Sequence, residues 1–339
     1  MGFENPLTLL ASELAIDLGT ANTIVAVRGQ GIVLDEPSVL AIRQRGGSRE
    51  VVAVGAGARQ MLGRTPEDIR AARPLEGSVI LDYDAAEIML RYFIARVLGK
   101  RPLVKPRALV TVPLGLSQEQ RRAVQDCTRA AGCREVRLVC APLAAAYGAG
   151  LPVGEPTGTL ICDLGAGTTE LAVISLGGVV ASQSLQCAGD AMDRAIVEHL
   201  ARAHQIEIGV QSAEAVKIEL GIEAASGRSL TVTGRQVGGG LPRQVVLGAA
   251  DVAAALGPCI EALIEALHQT FARTPPDLAA DILDAGLVLT GGGALLAGLE
   301  ERLGQATGLP VVRAEHPLRA AVAGAEALLD EPALLKTLA

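Results

Sequence analysis

The chain has 339 residues, half of them hydrophobic, more than one core usually holds and enough for two. Lys plus Arg total 30 against 37 Asp plus Glu, and the net charge of −7 excludes a general polyanion-binding surface, so no nucleic-acid partner is expected and any membrane contact must be local. Three Phe, three Tyr and no Trp leave few platforms for base stacking. The six cysteines (Cys127, Cys133, Cys140, Cys162, Cys187, Cys259) show no CxxC pair or nearby histidine cluster and read as small buried thiols. The longest uncharged stretches, such as Val139 to Gly154, are broken by Pro and Gly and fall short of the roughly 18 apolar residues of a spanning helix. The amino-terminal segment has no basic residues before its apolar part, so it does not read as a secretory signal, and a cytoplasmic location is expected.

In chain order, the first element is a hairpin: Ala15 to Leu18, the polar turn Gly19-Thr20-Ala21-Asn22, then Ile24 to Val27. A helix is expected between Asp84 and Gly99, a strand over Ala108 to Val112, and a helix opened by the capping-box pair Ser117 and Gln120 and stopped by Gly132. Ile161 to Leu164, Gly165-Ala166-Gly167-Thr168-Thr169 and Leu171 to Ile174 repeat the opening hairpin. The aspartates of the two copies are 163 − 17 = 146 residues apart, a domain length. Short apolar runs with Gly and Pro between Ser226 and Val246 read as a small strand-and-turn insertion. Last come the strand Leu287 to Leu289, the turn Gly291-Gly292-Gly293 and an apolar helical run from Ala294 to Leu303. The expectation is an α/β protein of two related lobes, each a mixed sheet flanked by helices.

A Gly/Thr turn between two strands can aim backbone N–H groups and a hydroxyl at a phosphate, because glycine lets the backbone approach closely. A carboxylate at the end of the preceding strand can hold Mg²⁺, usually through water. Gly19, Thr20, Ala21 and Asn22 suit the first role; Asp17 and Asp163 suit the second. Read alone, Asp-Leu-Gly-Thr is more often a plain hairpin turn. Two copies shift the balance, since paired turns can clamp one polyphosphate from both sides. The glycine turn at 291–293, set before a helical run, adds a candidate phosphate or adenosine contact.

With these features, the segments GQGIVLDEPSVLAIR, QMLGRTPEDI, AAGCREVRLV, AAAYGAGLP, GTTELAVISLGGVV, LVLTGGGALLAGL and TGLPVVRAEHPLRAAVA, in this order, resemble the MreB family of actin-like cytoskeletal proteins, within the actin, sugar-kinase and heat-shock chaperone superfamily. The resemblance implies an actin-like two-lobed fold with a nucleotide cleft. It divides the chain into a first lobe over 1–142 with a small insertion at about 33–74, a second over 143–320 with an insertion at about 182–248, and a segment 321–339 returning to the first lobe. It implies ATP, or ADP after hydrolysis, with Mg²⁺ at Asp17 and Asp163. Asp17, Gly19, Thr20, Ala21 and Asn22 would form one phosphate loop, and Asp163, Gly165, Gly167, Thr168 and Thr169 the other; Gly291, Gly292 and Gly293 would line the adenosine, and Glu214 and Lys217 would lie over the ribose and base. By spacing alone, Glu214 and Lys217 are an exposed helix-face ion pair.

One position departs from that pattern. Cys140-Ala141-Pro142 stands where the family typically has Glu-Glu-Pro, and the glutamate replaced by Ala141 would position the attacking water together with Thr168. An alanine methyl can neither take a proton nor hold a water, so any hydrolysis should be slow unless another carboxylate such as Glu170, or a neighbouring subunit, supplies the function. The segment Gly99 to Arg107 falls where the family has a membrane-touching loop. Its Lys100, Arg101 and Lys105 would meet anionic headgroups while Leu103 and Val104 insert, though the same residues also describe an ordinary solvated loop. Phe3, Leu7, Leu9 and Leu10 offer a weaker second anchor. The function expected is a filament of identical subunits on the inner face of the cytoplasmic membrane, organising cell shape or envelope machinery with membrane proteins as further partners. A small-substrate kinase or phosphatase of the same fold, and a non-hydrolysing regulatory paralogue, remain the alternatives.

Overall fold

The computed structural model describes residues 12–45, 48–99 and 104–338. Phe3, Leu7, Leu9, Leu10, Lys100, Arg101 and Leu103 lie outside the described residues. The chain divides into two compact units, one formed by the residues up to Gly154 together with those from Arg319 onward, the other by Glu155–Leu318. Among the described residues, no helix is long and apolar enough to cross a membrane.

The first unit is built on a five-stranded sheet in the order Glu135–Cys140, Arg107–Val112, Glu13–Leu18, Asn22–Val27, Gly31–Pro37. The first three run parallel and the last two return antiparallel. The opening strand is apolar at successive positions, Leu14, Ala15 and Ile16 all being buried, because both sheet faces are covered. Leu14, Ile16, Val25 and Val110 pack on Met89, Leu90 and Phe93 of the helix Tyr83–Leu98 and on Val124 and Cys127 of Gln118–Ala130. Ser117 and Gln120 close the expected capping box, and Asp82 caps the other helix by accepting from the Ala85 N–H. Alternation turns Ala15 and Asp17 to the opposite face, against the helix Ala320–Leu328. That helix packs on Ala141–Gly148 with unusual closeness: a Cβ at Gly324 would lie 1.8 Å from the Ala144 carbonyl oxygen, and one at Gly148 2.0 Å from that of Ala320. This contact holds Ala141–Gly148 in the first unit, so the chain passes to the second unit at Glu155 rather than after residue 142. A small sheet of Leu40–Arg45, Ser48–Val54 and Ile69–Ala72 follows Pro37, the residues just before it completing the main sheet.

The second unit repeats this plan. Its sheet runs Gly178–Leu185, Thr169–Ser175, Thr159–Leu164, Leu287–Thr290, Val311–Arg313, again three strands joined antiparallel followed by two parallel ones. The repetition reaches a local irregularity. One extra residue bulges from the third strand of each hairpin meander, Val33 in the first unit and Val180 in the second, and these are 43% and 42% exposed. Leu160, Cys162, Leu164, Leu171 and Val173 face the helices Gly189–Ala203 and Ala249–Ala272, whose Ile196, Val252, Leu256 and Leu263 fill the larger core. The small sheet of this unit comprises Ile206–Glu207, Ser229–Gln236 and Pro242–Gly248, because residues 182–185 belong to the main sheet and 189–203 to a core helix. The single helix expected over 294–303 is divided: Gly292–Leu295 forms a 3₁₀ turn, Gly298 takes φ +88°, and the α-helix begins at Leu299.

The contrast between two helical glycines tests this packing. Gly257, inside Ala249–Ala272, has no atom beyond its chain neighbours within 4 Å of an added Cβ, but it precedes Pro258, whose ring crowds a Cβ there and offsets the helix-propensity gain, so Gly257→Ala should change stability by less than about 0.5 kcal/mol. Gly324→Ala receives the same propensity gain but drives its methyl into the Ala144 carbonyl, and should lose about 1–3 kcal/mol. Urea unfolding of both variants checks this: the midpoint should fall clearly for Gly324→Ala and stay near wild type for Gly257→Ala.

Candidate functional site

In the first unit, Asp17 sits at the end of the opening strand, directly across from Thr111 on the parallel neighbour. The Thr111 hydroxyl donates to Asp17 Oδ1 at 2.6 Å. Burial pushes the Asp17 carboxyl above its usual range; the Thr111 bond lowers it, and nearby Asp35 raises it further. The turn that follows is closed by the Gly19 N–H donating to the Asn22 carbonyl at 3.0 Å, and a Cβ at Gly19 would lie 2.7 Å from that same oxygen. Ser38 secures the turn from the side: its hydroxyl donates to the Gly19 carbonyl at 2.7 Å, while its N–H donates to the Ala21 carbonyl at 2.8 Å. Thr20 is buried, and its hydroxyl accepts from the Ser78 N–H at 2.8 Å; Asn22 Nδ2 donates to Asp35 Oδ1 at 3.2 Å.

The second unit holds the same constellation. Asp163 lies across from Thr290, whose hydroxyl donates to Asp163 Oδ1 at 3.0 Å, and the Gly165 N–H closes the turn on the Thr168 carbonyl at 2.9 Å. Gly291, at φ +77°, brings its Cα so close that an added Cβ would be 2.3 Å from the Leu164 carbonyl oxygen and 2.9 Å from Asp163 Oδ1; one at Gly293 would be 2.6 Å from the Leu164 Cβ. The Gly189 and Asp190 N–H groups donate to Gly165 and Ala166, docking the start of the helix Gly189–Ala203 on the turn. Lys217 reaches the same place. Its ammonium donates to the Gly189 carbonyl at 3.0 Å and forms an ion pair with Asp193 Oδ1 at 2.7 Å. Burial raises the Asp193 carboxyl, Lys217 opposes that, and Glu214 and Asp190 reinforce it. Lys217 is therefore a half-buried group paired with Asp193, not the exposed partner of Glu214 suggested by spacing.

The structure thus gathers Asp17, Gly19, Thr20, Ala21 and Asn22 at one end of the first sheet. Asp163, Gly165, Gly167, Thr168, Thr169, Lys217 and Gly291 to Gly293 gather at the carboxyl end of the Thr159–Leu164 strand in the second, the edge where open α/β sheets bind ligands. Hard carboxylate oxygens beside glycine turns could hold a hydrated Mg²⁺ and a polyphosphate. Thr111, Thr290, Ser38, Asp193 and Ser78 escaped the sequence reading because each acts through a partner remote in the chain. Glu170, directly opposite Asp163, is only 2% exposed. Ala141 is the first residue of the helix Ala141–Gly148, after Cys140 at its cap. Val104 is half-buried and Lys105 exposed. The cysteines divide: Cys127, Cys133 and Cys162 are buried, whereas Cys140, Cys187 and Cys259 are half-buried. Burial pushes Cys127 and Cys133 up to about 12.

Paired sheets of one strand order, each ending in a threonine-held aspartate and a glycine turn, define a protein of the actin-like class. The chain matches the MreB/Mbl protein family over residues 11–337 and belongs to it. It is 47% identical to the cell shape-determining protein MreB of Escherichia coli (strain K12) over 330 residues, 95% of this chain and 94% of that protein. Its fold matches the crystal structure of MreB5 of Spiroplasma citri bound to AMPPNP with a TM-score of 0.90 at 31% identity, covering 95% of this chain and 97% of that one. It also matches the MamK double helical filament with a TM-score of 0.79 at 20% identity, covering 94% and 99% of the two chains.

The raised Asp17 carboxyl has a thermodynamic signature. The folded state binds this proton more tightly than the unfolded chain, so ionised Asp17 costs stability at neutral pH, and that cost disappears as pH falls through the raised value. Asp17→Asn, which keeps an acceptor for the Thr111 hydroxyl, should raise the melting temperature of nucleotide-free protein at neutral pH and lose that advantage in acid. Thermal scans of both proteins across this range give the comparison.

Proposed function

We propose that the chain is an ATP-binding cytoskeletal protein that polymerises from identical subunits on the inner face of the cytoplasmic membrane and takes part in determining cell shape. The observation that carries the reading is the duplicated constellation of a strand-end aspartate held by a cross-strand threonine and followed by a glycine-closed turn. The family supports it: a relative at 47% identity is a cell shape-determining protein, and MreB5, at 31% identity, is crystallised with AMPPNP. Asp17 and Asp163 would take Mg²⁺ through water, and the turn N–H groups the phosphates. Lys217, fixed by Asp193 and Gly189, would stand beside the ribose with Glu214, and Gly291 to Gly293 would admit the adenosine. Lys100 to Lys105 would bind anionic headgroups at roughly 1 kcal/mol per basic residue, and envelope membrane proteins would be further partners.

Filament assembly in the presence of ATP, Mg²⁺ and anionic liposomes is the direct test, read by sedimentation and electron microscopy. Wild type should form filaments that cosediment with liposomes, and Asp163→Ala should lose Mg²⁺-dependent ATP binding in a nucleotide titration. A monomer at all concentrations, or unchanged affinity in the variant, would remove the reading.

Hydrolysis is proposed to be slow. The first helical position at Ala141 carries no carboxylate, although the helix dipole would favour one there, so Ala141→Glu should fold without penalty. Restoring a group able to hold the attacking water should raise phosphate release from filaments by about 10²–10⁴-fold while leaving ATP affinity largely unchanged. An equal rate in both proteins, measured above the polymerisation threshold, would show that position 141 does not limit the chemistry.

A further inference from the structure

Apart from the nucleotide residues, the second unit brings together three groups far apart in sequence. His204 caps the carboxyl end of the helix Gly189–Ala203, His199 lies just over one turn earlier, and Asp251 is in the first turn of Ala249–Ala272. His204 Nε2 lies 2.7 Å from Asp251 Oδ1, while Asp251 Oδ2 accepts from the Gly248 N–H at 2.8 Å, which fixes the carboxylate. The two imidazole rings meet edge to face, their centroids 6.3 Å apart. One donor atom from each residue falls within 4.8 Å of the other two, and all three side chains are half-buried, open enough for an ion to enter. Burial pulls the Asp251 carboxyl upward, but the Gly248 N–H, the His204 bond and the two imidazoles outweigh it and hold the group below its ordinary range, as an anion.

From this geometry we propose that His199, His204 and Asp251 form a binding site for a zinc-class divalent cation, with water in the fourth position. Two imidazoles and one carboxylate suit zinc, nickel or copper, whereas magnesium prefers oxygen ligands alone. The site is thus chemically distinct from the Asp17 and Asp163 turns. Tetrahedral bonds of about 2.0–2.1 Å place ligand atoms about 3.3 Å apart, so the cation must open the His204–Asp251 contact slightly and draw His199 inward, both within the reach of side-chain rotation. Bound at His204 Nε2, it takes the place of the hydrogen-bonded proton, and the neutral ring then carries its proton on Nδ1. The consequence lies in the connectivity. The chain leaves the core at His204 to enter the small sheet at Ile206–Glu207 and returns through Pro242–Gly248 to Asp251. One ion would tie the entry of the segment 206–248 to its exit, adding a clamp at the root of the small sheet to the anchorage that the core-packed helix Val210–Leu220 already gives it.

Cobalt is the probe, added to the untagged, nucleotide-free full chain and followed by its visible absorption, with zinc as competitor. Wild type should show a one-to-one endpoint that zinc abolishes, and zinc should slow amide exchange across residues 206–248. His199→Gln leaves the Asp251–His204 bond and the Gly248 cap in place, so it should fold normally, yet it should weaken binding at least about tenfold and lose the exchange effect. Failure of wild type to reach an endpoint would overturn the assignment. So would equal binding by the variant, which would place the ion on cysteine thiols or on the nucleotide aspartates.

Discussion

A hydroxyl donated across two parallel strands is the contact on which the candidate site depends. Thr111 to Asp17 and Thr290 to Asp163 are the same interaction made twice, at the same register of two separately built sheets. An aspartate at the end of a buried strand is under pressure to protonate, as the upward shift of Asp17 shows. One directed hydroxyl offsets part of that pressure and fixes the carboxylate rotamer. A turn closed on glycine then follows at once, so carboxylate and backbone donors are aligned before any ligand arrives, which limits the ordering that binding must supply.

Close backbone approach is the second constraint. Gly324 against Ala144, and Gly291 against Leu164 and Asp163, are positions where a methyl group has no room. The first seats Ala320–Leu328 on Ala141–Gly148, and with it the Asp17 face of the first sheet. The second brings the late glycine turn onto the end of the Asp163 strand. Both contacts fix distances that larger side chains would lengthen.

Charge is handled in two ways. Asp17 and Asp163 each take a neutral hydroxyl, whereas Asp193 has the Lys217 ammonium at contact, and that ammonium is also held by the Gly189 carbonyl. Gly189 in turn bonds the Gly165 turn. A lysine on one helix, the start of a second and the Gly165 turn are thereby joined in a single polar chain, in which loss of Lys217 would strand a buried carboxylate.

Much of the architecture was legible in the sequence because its signals are local. The repeat of Asp-Leu-Gly, the Ser117 to Gln120 capping box and the glycine turn at 291–293 are written in adjacent residues whose backbone preferences need no distant partner. The family resemblance likewise rests on contiguous segments. What local pattern could not supply was pairing. Spacing joined Lys217 to Glu214, but the fold gave it Asp193; the apolar run from Ala294 read as one helix until Gly298 turned left-handed; His199 and His204 offered no metal spacing until Asp251 arrived from another helix. Composition and turn chemistry determined that there are two related sheets with an aspartate at the head of each. Which hydroxyl holds each aspartate, and which glycine must stay bare, was decided only when strand register and helix packing placed remote residues within a few ångströms, since those interactions act through distance in space and not along the chain.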